Sequence, residues 1–166
     1  MTTAYAASPT TNDQSAAQQH AVRRDIMKVL AESDAEELAA LLAALGDLPA
    51  HQNVRKPESG LLILRGRISG DGSPFNIGEV TVARAAVRLA SGEIGFGYVL
   101  GRDHEKARLV SLCDALMQTE LYRNAIENHV IEPIRAKQCA ARKLSAERTA
   151  ATRVEFFTLV RGEDEK

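Results

Sequence analysis

Apolar residues recur along this chain with two different periods, and the places where the period changes mark its elements. Val22, Ile26, Val29 and Leu30 follow the repeat of a helix with one buried face and predict a first amphipathic helix from His20 to about Glu32. Ser33-Asp34-Ala35-Glu36 reads as a capping box, with Ser33 as N-cap, opening a second helix whose apolar stripe is Leu38, Leu41, Leu42 and Leu45. Gly46 ends it, where a left-handed backbone is wanted. Residues 1–18 have no such period and are mostly Ala, Thr, Ser, Gln and Asn. They offer too little apolar surface to offset the entropy of ordering, so a disordered tail is expected there, ahead of a single domain over 19–166.

After Pro49 the period falls to two. Residues 60–68 are strand-like, apolar on both faces at first and then carrying Arg65 and Arg67 on one face. A glycine-rich loop follows at 69–78. From Glu79 to Ala90, Val80, Val82, Arg84, Ala86 and Arg88 share one face. Ser91-Gly92 makes a short hairpin turn, and residues 93–100 alternate Ile94, Phe96, Tyr98 and Leu100 with Gly95, Gly97 and Val99. These are predicted to be adjacent antiparallel strands.

Gly101-Arg102-Asp103-His104 is a strand-to-helix junction with Asp103 as N-cap, for a helix carrying Ala107, Val110, Leu112, Ala115 and Leu116. Another helix is predicted from about Glu120 to Ile131. Pro133 breaks the pattern, because proline inside a helix costs about 3 kcal/mol but is tolerated in a first turn. A further helix then runs through Arg142 to Ala151, and Val154, Phe156, Thr158 and Val160 alternate with Glu155, Phe157 and Leu159 in a last strand. The order implies an α+β fold: an antiparallel β-sheet of about four to five strands packed with N-terminal and C-terminal helices.

Composition narrows the function. With 166 residues the chain has room for one core, and its 45% hydrophobic and 26% charged residues are ordinary for a globular protein. The net charge of -1 disfavours nucleic-acid binding, which calls for a basic domain. Two separated cysteines, Cys113 and Cys139, read as free thiols in a reducing cytoplasm. The four histidines lie far apart, so no metal site is expected. The first residues carry neither a positive start nor an apolar core, and no apolar run is long enough to span a membrane.

Charge is unevenly spread: residues 60–112 hold seven Arg or Lys against five Asp or Glu, while the first 59 hold five against eight. Arg65 with Arg67, and Arg84 with Arg88, form two rows of guanidinium groups, and Arg102 lies at the junction beyond. Such forks suit phosphate oxygens, to which each donates two parallel hydrogen bonds. Gly70 and Gly72 in the 69–78 loop offer backbone donors for an anion nest. The same residues also fit a plainer account, with solvated arginines or ion pairs to Glu79 and Glu93 and a tight loop between two strands. There is no phosphate-binding or dinucleotide-binding glycine motif. Asp71, Glu79, Asp103 and His104 are the acid-base candidates, but no catalytic set assembles from them, and Cys113 sits mid-helix where a thiol is packing.

The blocks RGRISGDGSPFNIGEVTVARAAVRL (65–89), GFGYVLGRD (95–103), DALMQ (114–118) and ATRVEFFTLVRGE (151–163), in this order, resemble the PhnG family, a subunit of the carbon-phosphorus lyase system. The resemblance covers roughly residues 20–163. It implies a cytoplasmic core complex with the H, I and J subunits. It also implies participation, with H, I and L, in attaching an alkylphosphonate to C1 of the ribose of ATP with release of adenine. No catalytic residue comes with the resemblance. An iron–sulfur cluster needs at least three thiolates, so no cofactor is expected in this chain. An accessory subunit completing a partner's site is the leading expectation, and a structural scaffold without substrate contact is the alternative.

The sheet adds an expectation about partners. Ile94, Phe96 and Tyr98 alternate with Gly95 and Gly97, whose missing side chains leave the other face open to a close neighbour. The chain's helices can cover one face only. A permanent contact of about 2,000 Å² or more is therefore expected, with the I subunit as first partner.

Overall fold

The computed structural model describes residues 11–68 and 71–152. Its elements are α1 (Thr11–Glu32), α2 (Ala35–Ala44), β1 (His51–Gly66), β2 (Phe75–Leu89), β3 (Ile94–Leu100), α3 (His104–Leu116), α4 (Glu120–Ile126) and α5 (Glu132–Ala151), with a π turn at Glu127–Ile131. The strands pair antiparallel in the order β1-β2-β3, so the fold is α+β, as the change of period predicts. The sheet has three strands among the described residues, fewer than expected, and the strand predicted at 154–160 lies outside them. The chain divides into two compact units between Ile134 and Arg135, the first holding the sheet and α1 to α4.

α3 is the centre of that first unit. Ala107 and every residue from Leu109 to Leu116 are buried, as befits a helix packed on all sides. Below it lie Ala83, Ala85, Val87 and Leu89 of β2 and Val99 of β3, and around it Ile26 and Leu30 of α1, Leu38 and Leu42 of α2, and Ile126. A Cβ on Gly97 would stand 2.0 Å from the Ala107 carbonyl oxygen, and one on Gly95 2.0 Å from that of Ser111. The close neighbour that these glycines admit is thus the chain's own helix.

Several boundaries differ from the expected ones, each for a local reason. α1 begins at Thr11, ahead of His20, because the Ala- and Gln-rich stretch before His20 has good intrinsic helix propensity although it lacks an apolar stripe. β1 begins at His51, nine residues early. Its first half is exposed on both sides, so no buried face writes a period of two into the sequence. Pro57 sits in this edge strand between Arg55 and Glu58, where the pairing register shifts and no ladder donor is required. β2 begins at Phe75, which shortens the glycine-rich connection to residues 67–74. Pro133 does not interrupt the helix. The Glu132 N–H reaches back five residues to the Glu127 carbonyl, and this wider π turn takes up the irregularity beside the proline.

Ser33 is not the cap of α2. Asp34 has the extended backbone of an N-cap, and its carboxylate accepts from the N–H groups of Glu36 (2.9 Å) and Glu37 (3.1 Å). The Ser33 hydroxyl instead donates at 2.8 Å to the Leu30 carbonyl, which also accepts from the Ser33 N–H at 3.2 Å, closing the last turn of α1. Asp34→Ala should therefore cost about 1 kcal/mol in chemical denaturation, and a loss below about 0.3 kcal/mol would show that the cap contributes nothing.

Candidate functional site

The sheet presents its two faces differently. Successive side chains alternate between them, and in β3 the alternation is clean: Gly95, Gly97 and Val99 are buried under α3, while Phe96, Tyr98 and Leu100 are exposed on the opposite face. Register places Arg84 beside Tyr98 and Glu58, Ala86 beside Phe96, and Arg88 beside Ile94 and Gln52. The open face therefore carries Arg84 and Arg88 flanked by two aromatic rings. The Arg84 guanidinium donates to the Glu58 carboxylate at 2.9 Å and lies over Gly60. Arg55 reaches the same carboxylate at 3.4 Å. Neither Glu79 nor Glu93 serves as the partner: Glu93 accepts from the Ser91 hydroxyl, which holds its carboxyl below the usual range.

The other arginine row is elsewhere. Arg65 pairs with Asn76, eight residues from Arg84, or about 27 Å along β2. One phosphate group cannot meet both rows. Arg67 turns back to donate to the Gly72 carbonyl at 3.2 Å, and the Gly72 N–H donates to the Ile68 carbonyl, also at 3.2 Å. A Cβ at Gly72 would stand 2.6 Å from that Ile68 oxygen, so the glycine is needed for the hairpin end itself. Gly70 lies outside the described residues. Arg102 is exposed just past β3, after Gly101, whose N–H donates to the Thr81 carbonyl. Of the expected anion-binding residues, Arg67 meets Gly72 within the hairpin end, and Arg84 and Arg88 share the open face, about 13 Å apart along β2.

The acid-base candidates are scattered. Asp103 caps α3 by accepting from the Lys106 N–H at 2.9 Å, as expected. His104 is exposed in the first turn, with Nε2 2.8 Å from the Ser59 hydroxyl of β1. Asp71 and Glu79 are exposed on separate parts of the hairpin. Burial pushes the Cys113 thiol up to about 12, helped by the neighbouring Asp114 charge, which makes it inert packing. Among the described residues, no three Asp, Glu, His or Cys side chains gather as a metal site would require, and no helix is long and apolar enough to cross a membrane.

One polar cluster escapes the sequence reading. Asp114 is buried in α3, and its carboxylate accepts from Arg23 of α1 at 2.6 and 2.8 Å and from the Phe96 N–H of β3 at 2.8 Å. One turn later, the Gln118 amide donates to the Ile94 carbonyl at 2.8 Å. Together they cap the outer edge of β3, closing it to a further strand at that end. The bond also holds the Arg23 guanidinium charged. The signal was present as Asp114 among Leu112, Cys113, Ala115 and Leu116 of α3, with Gln118 one turn on just past the helix end, where a buried polar residue must find a partner. The adjoining cleft, about 470 Å³, is rimmed by His20, Arg23, Arg123 and Glu127.

The family described as "Phosphonate metabolism protein PhnG" matches this chain over residues 21–162. The alpha-D-ribose 1-methylphosphonate 5-triphosphate synthase subunit PhnG of Rhizobium meliloti (strain 1021) is 46% identical to it over 158 residues, covering 95% of this chain and 98% of the relative. The chain belongs to the PhnG family.

Proposed function

We propose that this member of the PhnG family is an accessory subunit of a synthase that joins an alkylphosphonate to C1 of the ribose of ATP and releases adenine, a step of organic phosphonate catabolism. The observation that carries this reading is the similarity to the Rhizobium synthase subunit, which runs nearly end to end in both chains. In the reaction a phosphonate oxygen bonds to C1, the bond from C1 to the adenine nitrogen breaks, and adenine leaves with a proton. The chain takes its place in a cytoplasmic complex with the I, H and J subunits of the carbon-phosphorus lyase core, I first among them. ATP and the alkylphosphonate are substrates of the complex, with no cofactor held by this chain and no nucleic acid or membrane engaged.

Arg84 and Arg88 are its best candidates for contact with the triphosphate or the phosphonate. Both stand on an uncovered sheet face, and a guanidinium pair complements the phosphate charge. The reconstituted complex carrying Arg84→Ala and Arg88→Ala should lose about tenfold in adenine release, the equivalent of about 1.4 kcal/mol of charge-assisted contact, while still assembling. The Arg84–Glu58 ion pair favours the alternative in which the chain is a scaffold without substrate contact. Unchanged adenine release, or loss of assembly, would establish that reading. Adenine release by the isolated chain would overturn both.

A further inference from the structure

The exposed large hydrophobic residues are concentrated in one place. β3 ends at Leu100, opposite Val82, and α3 begins level with Ser59, where His104 meets its hydroxyl. Beyond that line β1 and β2 continue alone, from Gly60 and Val82 to Gly66 and Phe75, as a two-stranded ribbon of about 20 Å. One face of the ribbon carries Leu62 and Leu64, continuous with Phe96, Tyr98 and Leu100. The other carries Leu61, Ile63 and Ile77 beside Thr81 and Glu79, the extension of the face that α3 covers further back. Every one of these apolar side chains is exposed, Leu61 at 62% and Ile63 at 58%.

A lone two-stranded ribbon is marginal in water, and apolar side chains on both faces make it more so. A flat partner would cover one face and leave the other wet. Two copies of this chain pairing ribbon to ribbon have the same defect, because a two-fold contact buries the same single face of each. What covers both faces is a groove. Two clefts among the described residues are not of that kind: one of about 470 Å³ has a charged rim, and one of about 800 Å³ on α5 is lined by Arg142, Ser145, Thr149 and Thr152 beside two alanines. At the free end of the ribbon stands Arg65, exposed and with no ion-pair partner among the described residues.

We infer that the β1–β2 ribbon inserts into an apolar groove of a different protein, one with a carboxylate placed to meet Arg65, and is buried there on both faces. Resting on the synthase reading, the inference assigns the groove to another subunit of that complex and makes the ribbon the chain's anchor. Phe96, Tyr98 and Leu100 form the shoulder against which the groove's lip closes.

Thiol protection tests it. In a Cys139→Ser background, where the remaining Cys113 is buried, single substitutions Leu62→Cys and Ile63→Cys place one thiol on each ribbon face, with Leu121→Cys on α4 as an exposed control. Maleimide labelling is followed for the isolated chain and for the complex purified with its co-expressed synthase subunits. Both ribbon thiols should label about tenfold or more slowly in the complex, as expected of side chains in a packed interface core, and the control at its isolated rate. Protection of one face alone would mean a flat contact, and protection of neither would remove the ribbon from the interface. Protection in the isolated chain that grows with concentration would make the occupant a second copy. Each of these outcomes overturns the inference. A paired Leu62→Asp and Ile63→Asp chain gives a second readout: it should keep its circular dichroism and lose co-purification. Adenine release by the unmodified complex is measured separately, so failure of the synthase reading shows there and not in the labelling.

Discussion

Asp114→Ala should lower folding stability by about 3 kcal/mol, because one buried carboxylate holds three elements together. Removing it leaves the Phe96 N–H without its acceptor, a loss of about 1–3 kcal/mol for a buried donor. It also frees Arg23 from its two-pronged contact and opens space under the end of β3. The Arg23 side chain is 41% exposed, so its guanidinium regains water and the full penalty of a stranded buried charge does not apply. Asp114→Asn keeps the shape and one carbonyl for Phe96 but loses the charge facing Arg23, and should recover about half of the loss. Urea denaturation of the isolated chain measures both. A loss below about 1 kcal/mol for the alanine variant would show that α1 and the edge of β3 do not depend on this carboxylate.

How much of this was legible in the sequence depended on whether a residue's surroundings were local. The stripe Leu38, Leu42 and the clean alternation of 94–100 each have one face in the core, so burial wrote a period into the chain, and α2, α3 and β3 emerged with nearly the observed bounds. The first half of β1 has no buried face and left no period. The cap of α2 was misplaced by one residue because Ser33 and Asp34 are both good caps. The choice between them was made by α1, which ends at Glu32 and takes the Ser33 hydroxyl for its Leu30 carbonyl. The arginine rows were readable as residues sharing a face, but which rows meet is a matter of register across strands. Arg65 and Arg84 were separated by the pairing of Leu64 with Gly78, which no local pattern carries. That one sheet face seats a close neighbour was legible through Gly95 and Gly97, and α3 is that neighbour, so the uncovered face is the one that carries Phe96, Tyr98 and Leu100. That the hairpin outruns both α3 and β3, baring a second apolar face, depends on the lengths of three elements at once.

Gly97→Ala should destabilise the fold by about 3 kcal/mol or more, at the upper end of what overpacking does. The added methyl carbon would lie 2.0 Å from the Ala107 oxygen and 2.9 Å from the Ser111 nitrogen, where about 3.3 Å is the closest comfortable carbon–oxygen approach. Both neighbours are backbone of α3, so no side chain can swing aside. The helix must lift from the sheet by about 1 Å or more, and dispersion contacts fall away steeply over such gaps. Nor can α3 lift freely, because Leu30, Leu38 and Ile126 pack around it and would each be left short of contact. Gly95→Ala should behave alike, since its methyl would meet the Ser111 oxygen and the Ala115 nitrogen at 2.0 and 2.3 Å. Gly78 is the control: nothing stands within 4 Å of a Cβ there, and an alanine should shift stability by less than about 0.5 kcal/mol. Urea midpoints of the three variants separate steric seating of the helix from a general intolerance of side chains in this sheet. If Gly97→Ala unfolds at the midpoint of Gly78→Ala, α3 does not rest on the β3 glycines.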